Sequence, residues 1–177
     1  MIALGKLKNY MKYLYFTICL ASLLSCSAPP ETTRLLRHVG DIVYDPAIDD
    51  SDFEPCNAER AYQYYNFSNA IQYDGEKAAI RRIFEKQYQP IEGAENGYVS
   101  IRFMVNCEGV SGWFRTTEMD QYYQPKSLNP KITSQLLEIT KSLDGWKVGI
   151  NSRDRKRDYY QYLTFKITNG TIEDIMP

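Results

Sequence analysis

The residues of this chain best placed to do chemistry are its thiols, and Cys26 is the first that matters. It follows Leu23-Leu24-Ser25 directly behind an apolar run. A small residue at the cut and a cysteine after it read as a lipobox. The Cys26 sulfur then carries a lipid, and Cys26 becomes the first residue of the mature protein. The competing reading is ordinary secretory cleavage with Cys26 left as a plain thiol. Cys19 departs with the leader, so Cys56 and Cys107 remain. Two thiols in an exported chain predict a Cys56–Cys107 disulfide, against the alternative of two separate buried thiols. A catalytic cysteine is not expected, because the single histidine, His38, stands near the tethered end. Zinc would need more nitrogen and sulfur ligands than the chain supplies. No metal or other cofactor is expected.

Other chemistry is thinly represented. The chain has no G-x-S-x-G, no H-E-x-x-H and no phosphate-cradling glycine loop. Glu118 and Asp120 lie close together, and a carboxylate pair is the minimum for acid–base work. An envelope hydrolase built on them is the weaker alternative to a non-catalytic module. Asp45, Asp49, Asp50, Asp52 and Glu54 form an acidic run without the turn glycine and distal glutamate of a calcium loop, so a solvated loop is expected. Residues 153–157 are mostly basic. They read as a solvated loop, with the gripping of an anion or a membrane surface as the other possibility.

The leader explains why Cys26 is reached. Lys6, Lys8 and Lys12 precede an apolar stretch over residues 13–24, broken only by Thr17 and Ser22. That stretch suits a signal segment and falls short of the roughly 20 residues a membrane span needs. Met11-Lys12 would also begin a compact leader, so translation from Met11 is an alternative start. The leader resembles bacterial lipoprotein signals. That resemblance implies a diacylglycerol thioether on Cys26 and an acylated amino terminus, several chains where stable anchoring needs more than one. Ser27 after the cysteine resembles signals sorted to the outer membrane, which places the protein there, facing the periplasm. Residues 1–25 are then the signal peptide, 26–37 a tether containing Ala28-Pro29-Pro30, 38–69 an N-terminal extension and 70–177 the folded domain. The membrane, through Cys26, is one expected partner; an envelope protein or peptide is the other. Losing the three leader lysines leaves the side chains at net −4, which argues against nucleic acid.

The elements that must carry these residues follow from pattern. Asp41–Tyr44 reads as a short strand or extended segment. Asp74 is the expected N-cap of a first helix over residues 75–88, with Ile80, Ile83 and Phe84 at helical spacing and Pro90 beyond its end. Tyr62, Tyr64, Tyr65, Phe67 and Tyr73 flank it as core edge or ligand cleft. Residues 97–106 alternate strictly, with Val99, Ile101, Phe103 and Val105 inward. Asn106-Cys107-Glu108-Gly109 turns the chain into a second strand over residues 110–118. Asn129 caps a second helix with Pro130 at its first position. Leu128, Ile132, Leu136, Ile139 and Leu143 form its apolar stripe, and Gly145 is the expected left-handed stop. Two last strands, over residues 159–169 and 171–176, are joined at Asn169-Gly170, a strong hairpin signal.

This order over residues 70–168 resembles the TonB C-terminal domain family. The matching pieces are Ile80, Ile83 and Phe84 on the first helix, then the hairpin from Gly97-Tyr98-Val99-Ser100-Ile101-Arg102-Phe103 to Gly109. The amphipathic helix ending near Gly145-Trp146 and the closing strand Tyr162-Leu163-Thr164-Phe165-Lys166-Ile167 complete the match. The resemblance implies an α+β fold with two helices packed on one face of a small antiparallel sheet. It also implies that the closing strand offers its edge to an extended peptide. Tyr160, Tyr162 and Thr164, outward on that strand, are the implied peptide-binding residues. The added Asn169-Gly170 hairpin departs from the family and is either the binding edge or a cover over it. Deleting residues 171–177 is expected to leave a folded domain. A structural subunit of an envelope assembly is the alternative to a binding module.

Overall fold

The computed structural model describes residues 41–63, 71–93 and 95–176. Cys26, the leader, the tether, His38, and Tyr64, Tyr65 and Phe67 lie outside them. The strict alternation of residues 97–105 produces β1 (Gly97–Val105), which turns into β2 (Ser111–Asp120). Gly109 closes that turn at φ +86°. After a helix over Pro130–Lys141 come the two-residue strands β3 (Gly149–Ile150) and β4 (Lys156–Arg157), then β5 (Tyr159–Thr168) and β6 (Thr171–Met176). The main sheet is antiparallel in the order β2-β1-β5-β6, and β3 and β4 pair separately. Asn169 and Gly170 join β5 to β6 with φ of +49° and +71°, the conformation that Asn-Gly adopts at low cost.

Odd-numbered residues of β1 and β5 face the main core. Val99, Ile101, Phe103, Val105, Leu163, Phe165 and Ile167 join one buried cluster with Ile80 and Phe84 of α1 (Glu76–Gln87) and Ile132 and Leu136 of α2 (Pro130–Lys141). The whole predicted stripe from Leu128 to Leu143 is buried. Asn129 caps α2 as expected, its side chain accepting from the Lys131 N–H at 3.0 Å.

Several expectations are corrected. Asp74 does not cap α1; Gly75 holds that position in the left-handed region. The backbone of Asp74 is engaged elsewhere, its N–H donating to Gly145 beside the Tyr73–Trp146 bridge. Gly145 is not the stop of α2 either, because Ser142 ends that helix. Glycine is needed at 145 for space: a Cβ there would lie 2.8 Å from the Tyr73 ring. Residues 41–45 form no strand and join no ladder. The basic run is not wholly loop, since its last two residues, Lys156 and Arg157, pair with Ile150 and Gly149.

The even-numbered face of the sheet carries a second, smaller core. Ile42, Phe53 and Ala61 of the N-terminal extension pack on Met104 and Tyr160. A bulge in β2 supplies another wall: two residues, Trp113 and Phe114, oppose Phe103. Trp113, at φ +54°, turns to Tyr44 and Phe53, while Phe114 stacks on Phe103.

The expected disulfide holds this layer in place. Cys56 and Cys107 are bonded, with their Cα atoms 6.0 Å apart. Asp158, 1% exposed, sits beneath them and accepts the N–H groups of Asn57 and Cys107.

Candidate functional site

Residues 41–63 of the extension cover part of the even-numbered face, and a groove of about 810 Å³ opens at their margin. One wall is the extended segment from Asp41 to Pro46. The floor is Ser100 and Arg102 of β1, Arg115 and Thr117 of β2, and Tyr162 of β5. These side chains meet because alternate residues on paired strands share a face: Arg102 lies opposite both Arg115 and Tyr162.

Two arginines organise the groove. Arg102 places its guanidinium 4.7 Å from the centre of the Tyr160 ring and donates to Gln63, which donates to Asp41. Arg115 forks onto Asp49 with two bonds of 2.7 Å and also reaches the carbonyls of Val43 and Phe114. The Asp49 side chain is 1% exposed. The Arg115 hydrogen bonds hold the Asp49 carboxyl below the usual carboxylate range, against the desolvation that opposes it. Arg115 therefore clasps residues 43–49 to β2.

A lowered carboxyl pKa fixes the sign of the acid response. The clasp contributes its full stability above the unfolded value near 4, and that contribution is lost as pH falls through the folded value. Residues 41–49 should be protected from hydrogen exchange at neutral pH and lose that protection below about pH 4. Asp49→Asn should remove about 2 kcal/mol of that local protection at neutral pH and flatten the response. An Asp49→Asn protein with the wild-type exchange profile would refute the clasp.

The sequence-predicted residues divide. Tyr162 lines the groove, and Thr164 meets Ser100 at 3.1 Å on its open side. Tyr160 is not outward to solvent. It is 3% exposed beneath the extension, its hydroxyl accepting from the Ile42 N–H at 3.3 Å. Nor is β5 an open edge. Tyr62 bridges its first residues in parallel, and β6 pairs its second half.

Residues at the ends of the two outer strands also bond the chain's own groups. Gln124 and Lys126 return to bond Asp120 and Glu118 at the end of β2. On β6 the Asp174 carboxylate accepts the Ile175 N–H and is gripped by Lys77 and Arg81 of α1. Glu118 and Asp120, the candidate acid pair, serve locally: Glu118 accepts from the Leu128 N–H, and Asp120 from the N–H groups of Tyr122 and Gln124. In the acidic run, Asp45 and Asp50 likewise accept backbone N–H groups two residues on.

Beyond Ser100 and Thr164 the face ends in an aromatic group missed in the sequence. Tyr98 and Tyr123 stack at 4.8 Å with hydroxyls 3.2 Å apart, and Tyr122 and Tyr123 are 70% and 64% exposed. Tyr122-Tyr123 beside the turn-forming Asp120 was the available signal. The Arg115–Asp49 pair spans 66 residues and left no local trace. Comparison with family models, with characterised proteins and with solved structures finds no match.

Proposed function

We propose that this protein is a lipid-anchored, non-catalytic binding module on the periplasmic side of an outer membrane, taking an extended segment of another envelope protein. The lipobox at Cys26 supports the anchor, and the order of the elements supports the likeness to TonB C-terminal domains. One observation carries the binding reading. The even-numbered sheet face is only half-buried between a walled, arginine-lined groove and an exposed tyrosine stack. From Tyr98 to Arg102 that floor runs about 13 Å, room for four or five extended residues. Its hydroxyls, guanidinium groups and aromatic rings suit peptide carbonyls and side chains. The groups bonded at the ends of the outer strands favour recognition on this face over strand addition.

The test is to block the floor. Ser100→Arg and Thr164→Arg should each cost about 1 kcal/mol, the loss of the hydrogen bond between the two hydroxyls, and leave the domain folded. Each should abolish recovery of the partner when crosslinked envelopes are affinity-purified on the protein. Unaltered recovery from both folded variants would reject the face as the binding site and favour a structural subunit. Mass spectrometry of the membrane-extracted protein tests the anchor, and an unmodified Cys26 would reject it.

A further inference from the structure

The β3–β4 hairpin is a charged feature that the binding reading leaves unused. Residues 147–157 carry Lys147, Arg153, Arg155, Lys156 and Arg157 against Asp154 alone, net +4 in a chain whose total is −1. The remainder of the chain is therefore net acidic, while this hairpin is net positive. Elsewhere, cations such as Lys77, Arg81, Arg115, Lys126, Lys141 and Lys166 stand in ion pairs. Among the described residues, none of the five hairpin cations does.

The projection is ordered. Gly149 pairs with Arg157 and Ile150 with Lys156. The Asn151 side chain accepts the N–H groups of Arg153 and Arg155 at 2.9 and 3.0 Å, and its own N–H donates to the Arg155 carbonyl. The Tyr159 hydroxyl donates to the Lys147 carbonyl at 2.8 Å and ties the hairpin base to the core. Ile150, between the cations in sequence, is 55% exposed. Charges carried on an ordered backbone, with no ion-pair partner among the described residues, are available to an anionic surface. An exposed aliphatic side chain among them can enter the layer beneath the phosphates.

We infer that this hairpin is a second membrane contact, docking on the phosphate groups of anionic phospholipid. The choice of a bilayer rests on the anchor reading, since a tethered protein meets lipid headgroups at high effective concentration. Charge complementarity argues for it directly: each Lys or Arg near an anionic leaflet adds to binding, and screening by salt removes the gain.

The experiment uses Cys26→Ser protein purified without acyl chains, so that only the hairpin is tested. It should sediment with vesicles containing phosphatidylglycerol at low salt and be released as salt rises. Arg153→Gln, Arg155→Gln and Lys156→Gln together should weaken binding about tenfold or more, while the charge-conserving Arg153→Lys with Arg155→Lys should retain it. Equal binding to phosphatidylcholine vesicles, no binding to either, or an unaffected triple variant would each overturn the inference. Retention by a soluble polyphosphate but not by vesicles would overturn it in favour of a soluble polyanion. Mass spectrometry of Cys26 in the wild-type protein reports separately on the anchor.

Discussion

Replacing Cys107 with serine should lower the stability of the folded domain by about 4 kcal/mol. The bond closes a loop between residues 51 apart, and losing it returns that chain freedom to the unfolded state. The folded state is affected as well. The N-terminal layer is held to the sheet by the disulfide, by Asp158, by the Arg115–Asp49 clasp and by a small cluster around Phe53 and Tyr160. Removing the covalent member should loosen the wall of the groove before the main core yields. Thermal unfolding followed by circular dichroism should show a midpoint lower by roughly 10–15 °C. Reductant should bring the wild type to the same value, because Cys56 is exposed. A Cys107→Ser midpoint within a degree or two of wild type would show that the clasp and the small cluster hold the layer alone.

Deleting residues 171–177 should unfold the domain, the reverse of what composition suggested. β6 has few apolar residues, but Ile175 is buried and Ile172 packs against the main core. Truncating one such buried side chain to alanine costs about 2–5 kcal/mol. The deletion removes both, strips a ladder from β5 and uncovers Phe165 and Ile167. Against a total stability of about 5–15 kcal/mol, that loss leaves no stable native state. Near-ultraviolet circular dichroism should lose its fine structure in the truncated protein, whereas Ile175→Ala should keep it at lower stability. A truncated protein with a native spectrum and a cooperative transition would show that β6 is dispensable. Ser100→Arg and Thr164→Arg are therefore better probes of binding than this deletion.

The main sheet and both helices were legible because their signals are local and agree with one another. The alternation of Val99 to Val105, the Leu128–Leu143 stripe, the Asn129 cap and Asn169-Gly170 each act over a few residues. Pairing Cys56 with Cys107 needed only a count of thiols and the expectation of export. The site was mostly hidden. The outward direction of Tyr160 followed correctly from parity, but nothing local told that residues 41–63 would cover it. Asp49 is one acid among five over residues 45–54, and only the tertiary fold selects it for Arg115. The bulge at Trp113 depends on the partner strand, so the alternation that reads β1 well is silent on β2.

The strand order also sets a timetable for folding. β1, at the middle of the sheet, finds its β5 partners 54 to 70 residues further along the chain, from Val105–Tyr159 to Gly97–Ile167. A polypeptide emerging amino end first from a ribosome or a translocation pore can form the β1–β2 hairpin and join Cys56 to Cys107. It cannot close the main core until nearly its last residue has appeared. Such late closure, with its contacts distant in sequence, slows folding. It also keeps the chain threadable for as long as threading is required, so the topology that delays the native state is compatible with passage across a membrane.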